Sequence, residues 1–171
     1  MRHVSASRDR ARALMEDGYA KLARAFAADP DPVYQLRAPW LAPCTLGESH
    51  TVNGSLQAVT LIHGPWTTGE PHIRVTTWRD LPGQDFVPDV PDDLPAAAPE
   101  DIGIDVDGSV IPATLVRGPA GSWLLRADPG RVHLLASGRG PIGDLSFEPL
   151  TDLEAVVNAR RVFLASLLPE A

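Results

Sequence analysis

The chain has 171 residues, with 22 acidic and 15 basic side chains, five His, one Cys and a formal net charge of −7. A single Cys excludes a disulfide framework within the chain and a structural zinc site built on thiolates. The acidic balance argues against a nucleic-acid backbone or an anionic membrane surface as partner. With 44% apolar and 22% charged residues, one globular domain over 1–171 is expected, large enough to fold without a staple or a metal.

The first predicted element is a helix reaching about Ala28, with Ser5 or Ser7 as its cap. Ala11, Leu14, Met15, Gly18, Tyr19, Leu22, Ala25 and Phe26 recur at helical spacing, and Asp29-Pro30-Asp31-Pro32 stops the run. Residues 33–55 read as irregular, with Pro39 and Pro43 around Trp40. Asn53-Gly54-Ser55 matches a glycosylation sequon, which has no meaning without secretion. A hairpin is expected over 56–78. Its first strand, Leu56 to His63, is apolar on both faces. Its second, His72 to Trp78, alternates Ile73 and Val75 against His72, Arg74, Thr76 and Trp78.

An acidic, proline-rich loop is expected over 80–100. A β-meander follows over 101–149: Ile102 to Val106, a turn at Asp107-Gly108, Val110 to Arg117, Trp123 to Ala127, Val132 to Ser137 and a short strand from Leu145 to Glu148. The last element is a helix over 151–168, opened by a capping box at Thr151-Asp152-Leu153-Glu154 and lined by Leu153, Val156, Val157, Phe163, Leu164 and Leu167. The expected class is α+β: a mostly antiparallel, curved sheet of six to seven strands with both helices packed on one face. No internal repeat is present.

Charge is concentrated. Residues 1–28 carry a net of +3, 29–79 a net of −1, 108–171 a net of 0, and 80–107 nine acids with no base. The run from Asp80 to Asp107 also holds Pro82, Pro88, Pro91, Pro95 and Pro99, which block helix, while repulsion between the acids extends the backbone. Such a segment is either a solvated connector or an acidic docking arm for a basic partner. Phe86, Val87, Val90 and Leu94 are its apolar anchors, able to pin it across the domain surface. Fourteen Arg against one Lys, with abundant Ala, Pro and Gly, is the codon signature of a GC-rich bacterial genome.

Nucleotide fingerprints of the P-loop and dinucleotide type are absent, and so is a nucleophile elbow. Gly138 to Gly143 reads as a flexible turn. Cys44 lies in a Pro-rich loop with His50 six residues on, and nothing near it would lower a thiol pKa, so Cys44 reads as a small semi-buried residue. Two His and a carboxylate with open positions can hold a catalytic metal, and His63, Glu70 and His72 are the candidate ligands, with Arg74 beside them. The competing reading makes these histidines polar strand ends. Trp78 beside Arg74 can anchor a partner or lie covered by a helix or the acidic arm. Arg160-Arg161 is the one paired base, and Arg161 is assigned to the acidic arm.

No apolar stretch approaches the ~20 residues of a membrane span, and no apolar secretory core follows the basic start Met1 to Arg12, so a cytoplasmic protein is expected. Three readings follow. The first is a non-catalytic interaction protein of accessory, chaperone or immunity type, binding a protein with a basic surface through Asp89, Asp92, Asp93 and Trp78, with no cofactor. The alternative is a small-molecule binder or metal-dependent enzyme with a pocket on the sheet face, lined by His63, Glu70, His72, Arg74 and Trp78. The third is a homodimer made through a sheet edge or face. Neither nucleic acid nor membrane is an expected partner.

Overall fold

The computed structural model describes the chain except residues 1, 39–43, 65–72, 92–96, 144 and 168–171, with the backbone alone for 2–6. In chain order the elements are α1 (Arg2–Ala28), β1 (Tyr34–Arg37), β2 (Cys44–Val52), β3 (Ser55–His63), β4 (Ile73–Trp78), β5 (Glu100–Val106), β6 (Ser109–Arg117), β7 (Ser122–Ala127), β8 (His133–Arg139), β9 (Ser146–Pro149) and α2 (Leu153–Ser166). The strands form one sheet in the order β1-β9-β5-β6-β7-β8-β4-β3-β2. All neighbours are antiparallel except β5 and β9, which run parallel. The fold is α+β.

Among the described residues the sheet has nine strands, where the sequence reading counts six to seven. The two missed strands, β1 and β2, lie in the stretch taken as irregular. Their hydrophobic signal is weak for a physical reason. β1 has only four residues, and the second half of β2 is a solvated edge on which Glu48, Ser49, His50 and Thr51 are exposed. Asn53 and Gly54, with φ of 51° and 79°, form the two-residue turn joining β2 to β3. The same geometry recurs at Asp107 and Gly108, with φ of 53° and 77°. β2 carries a bulge between Leu46 and Glu48. Gly47 sits in it so close to β3 that a Cβ would stand 3.0 Å from the Thr60 carbonyl oxygen and 3.0 Å from Ile62 Cδ1.

The sheet curls into a nearly closed, barrel-like shape, and side chains complete the closure that strand pairing does not. The edge strand β1 reaches the concave face of β3 and β4. There the Tyr34 N–H donates to Thr77 Oγ1 (3.0 Å) and the Leu36 N–H to His63 Nε2 (3.2 Å). Inside the curl, Ile73, Val75, Trp123, Leu125, Leu134 and Phe147 form the main core. Both helices pack over β2 and β3 on the same concave side. Leu22 and Ala25 of α1 and Leu153, Val156 and Val157 of α2 share a cluster with Cys44, Leu46, Leu56, Val59 and Leu61. Full burial of one such side chain is worth about 1.5–3 kcal/mol, so this cluster fixes the helices in place.

Helix boundaries depart from the sequence reading at two points. α1 begins at Arg2, ahead of both Ser5 and Ser7. α2 is capped by Asp152, whose Oδ1 accepts from the Ala155 N–H at 2.9 Å, and not by Thr151. Asp ranks above Thr as an N-cap, and Asp152 stands immediately before the first helical residue, Leu153. Glu154, the reciprocal partner in a Thr151 capping box, pairs with Arg161. Arg161 also holds Glu16 of α1 through two nitrogens, at 3.1 and 2.7 Å. Its assignment to the acidic arm is therefore corrected: it ties the two helices together.

No described helix is long and apolar enough to cross a membrane.

Candidate functional site

β4 alternates cleanly. Ile73, Val75 and Thr77 face the concave core, so Arg74, Thr76 and Trp78 face out. Register places Ile62, Thr60 and Ala58 of β3 on one side of these three, and Ser137, Leu135 and His133 of β8 on the other. The middle of this convex patch is apolar: Ala58, Trp78 and Leu135 are buried together, with Leu124 and Phe86 packed on them. Thr60 and Thr76 satisfy each other across the strands at 2.9 Å.

The acidic segment covers this patch. After β4 the chain turns at Pro82-Gly83, where Gly83 has φ 71° and the Gln84 N–H donates to the Leu81 carbonyl at 3.0 Å. It then doubles back along β4. Phe86 lies over Trp78 (ring centroids 6.1 Å apart) and against His50 (5.2 Å). Three residues on, Asp89 meets Arg74 at 2.9 Å. Gln57 Nε2 donates to the Gln84 carbonyl at 3.1 Å. Of the four apolar anchors named from the sequence, Phe86 is the one packed on the sheet among the described residues. Val87 is 84% exposed and Val90 39%, so neither holds the arm down. Leu94 falls outside the described residues.

At the root of the arm, His133 stands between two carboxylates. Nδ1 is 2.6 Å from Asp128 and Nε2 is 3.1 Å from Asp80, while the ring lies 5.2 Å from Trp78. A neutral imidazole has one N–H, and an ionised carboxylate can only accept. Both contacts are hydrogen bonds together only when the ring is imidazolium. Hydrogen bonding to Asp128, and then to Asp80, accordingly lifts the His133 pKa above its ordinary value against the opposing effect of burial.

The candidate residues divide between two faces. Trp78 is 8% exposed, beneath Phe86 and beside His133. Arg74 and Asp89, assigned from sequence to separate roles, are brought together as one ion pair. His63 is buried on the concave face, where its Nε2 accepts from β1. Register explains the separation from Arg74: Ile62 pairs with Arg74 and His63 with Ile73, so the two side chains leave opposite sides of the sheet. Glu70, His72, Asp92 and Asp93 lie outside the described residues. Among the described residues no group of three His, Cys, Asp or Glu side chains is placed to hold a metal. Cys44 is buried, and burial pushes its thiol up to about 11, so it stays protonated at neutral pH.

Sequence reasoning missed Arg79. Its Nε donates to the Leu56 carbonyl at 2.6 Å and Nη1 to Asp29 Oδ1 at 2.8 Å, Nη2 pairs with the other Asp29 oxygen, and Asp31 stands 3.3 Å away. The Asp29 side chain is only 4% exposed. This junction joins the end of α1 to β3 just where the arm departs. A cavity of about 20 Å³ beside it, lined by Asp29, Gln57, Trp78 and Val132 among others, has room for a single water and not for a substrate. The one sequence signal was position: a base at the end of a strand, and two acids read only as a helix stop.

Comparison with protein-family models, with curated proteins and with solved structures finds no match to this chain.

Proposed function

We propose that this protein is a non-catalytic interaction module whose docking element is the acidic arm on the convex face of β3, β4 and β8. The observation that carries this reading is how the arm is held. Phe86 and the Arg74–Asp89 pair fix it along β4, yet Asp85 and Val87 face solvent and Asp89 keeps a side chain 73% exposed. A strip already laid on a rigid sheet loses less entropy on binding than a free tail. Its charge speeds encounter with a basic surface and makes the complex salt-sensitive. Val87 and Val90 add apolar contact beside the carboxylates.

The alternative pocket on the sheet face draws less support. The face that would line it carries Arg74 and Trp78, which the arm covers, and His63 leaves from the other side.

Native mass spectrometry on protein isolated gently from its own host tests the proposal. The expected result is a co-purifying protein that dissociates as salt rises and is lost in the Asp89→Asn, Asp92→Asn, Asp93→Asn variant. A bare monomer carrying a metal or a small adduct overturns the interaction reading. A complex indifferent to both salt and the triple substitution overturns the arm as its docking element.

A further inference from the structure

The apolar stripe of α1 outruns the body it packs on. Leu22 and Ala25 are buried, but about two turns before Leu22 the same stripe passes through Met15, 36% exposed, and Leu14, 66% exposed. From Ser7 to Gly18 only Glu16 is even half-buried. Residues 7–18 carry three bases and three acids. Glu16 is held by Arg161, with Arg12 also near enough to lower its pKa, and Asp17 is held by Lys21. Arg8 and Arg10 make no ion pair among the described residues, and Asp9 lies between them in sequence. The protruding half of α1 thus offers Arg8 and Arg10 beside an uncovered apolar stripe.

The arm is its complement in the same chain. Residues 80–99, ahead of β5, carry five acids and no base. Asp85 has no partner among the described residues, and Val87 and Val90 are the exposed apolar side chains beside it. No hydrogen bond or ion pair joins arm and α1 among the described residues. Their lengths also agree. Twelve helical residues, 7–18, span about 18 Å at 1.5 Å per residue. Six extended residues, 85–90, span about 20 Å at 3.3 Å per residue.

We propose that the protruding half of α1 is the seat for the acidic arm of a second copy of this chain. Asp85 meets Arg10, and Val87, two extended residues on, covers Leu14, which lies one helical turn from Arg10 on the same face. In a two-fold pair each chain gives one arm and one helix, so the contact is made twice and the assembly closes. This rests on the reading of the arm as a docking element and names its partner.

Sedimentation velocity on the full chain, across protein and salt concentration, tests it. The expected result is a dimer at low salt that gives way to monomer as salt rises. Arg10→Glu, and separately Asp85→Lys, weaken association at least tenfold, with far-UV circular dichroism unchanged. Mixing those two variants restores the dimer, because each reversed charge then meets its opposite. Leu14→Asp gives monomer by removing the apolar contact alone. A monomer at low salt at every concentration overturns the proposal, as does a dimer indifferent to salt and to the Arg10 substitution. A monomer that still binds a host protein in a salt-sensitive way overturns self-pairing and leaves the arm's docking role standing.

Discussion

Phe86→Ala removes the one large side chain that, among the described residues, presses the arm onto the sheet. The phenyl ring makes two ring contacts, with Trp78 at 6.1 Å and His50 at 5.2 Å. Each such pair is worth about 0.5–1.5 kcal/mol beyond area burial. Phe86 is half-buried, which adds about 1 kcal/mol of apolar transfer. Discounting for the solvent-exposed setting, the arm loses about 2 kcal/mol of its hold, or roughly a 30-fold shift in its opening equilibrium. The Arg74–Asp89 pair is too exposed on the Asp side to make this good, because such pairs contribute about 0–1 kcal/mol. Amide hydrogen exchange resolves the effect: protection over 84–90, including the Gln84 N–H bonded to Leu81, falls by that factor. His50→Ala removes one ring contact and produces a smaller change, about fivefold. Arm protection that moves less than threefold in Phe86→Ala refutes the account, and means that backbone contacts such as Gln57 to Gln84 hold the segment instead.

Two further outcomes follow from the charged junctions. His133 has a folded pKa raised above its ordinary value, so its contribution to stability is complete below about pH 6.5 and is lost as pH rises through the folded pKa. Urea unfolding between about pH 5 and about pH 9 therefore shows wild type losing up to about 1 kcal/mol more than His133→Gln, and parallel pH profiles dispose of the imidazolium bridge. Arg79→Met leaves the Asp29 carboxylate buried without its partner and costs about 3 kcal/mol, and adding Asp29→Asn recovers at least half of it. Equal loss in the single and double variants removes the junction as a structural tie.

Where hydrophobic patterning was strong, sequence and structure coincide. β3 follows from a run apolar on both faces, β4 from period-two alternation, the hairpins of β5 to β8 from strand runs punctuated by turns such as Asp107-Gly108, and α2 from its apolar stripe. Where the pattern was weak the reading failed. β2 is an edge strand with polar residues on its exposed half, and only Asn53-Gly54 marked it, as a hairpin turn that the sequon reading obscured. The acidic segment was legible as a unit because charge and proline content are local properties. Its path was not, because the residues that capture it come from distant strands: Arg74 and Trp78 from β4, His50 from β2, and Gln57 from β3.

The sequence alone determined what local chemistry can determine: one α+β class, most element positions, a single acidic segment, and the absence of thiolate zinc and nucleotide motifs. Tertiary structure decided which faces those residues take. One step of register puts His63 in the core and Arg74 on the convex face, dividing a set of candidates that sequence spacing had grouped. Curling of the sheet turned β1 inward to meet Thr77 and His63, and drew Arg79 to Asp29 across 50 residues. Both depend on contacts far apart along the chain, whose pairing is set by the summed burial of the whole core and is written in no local pattern.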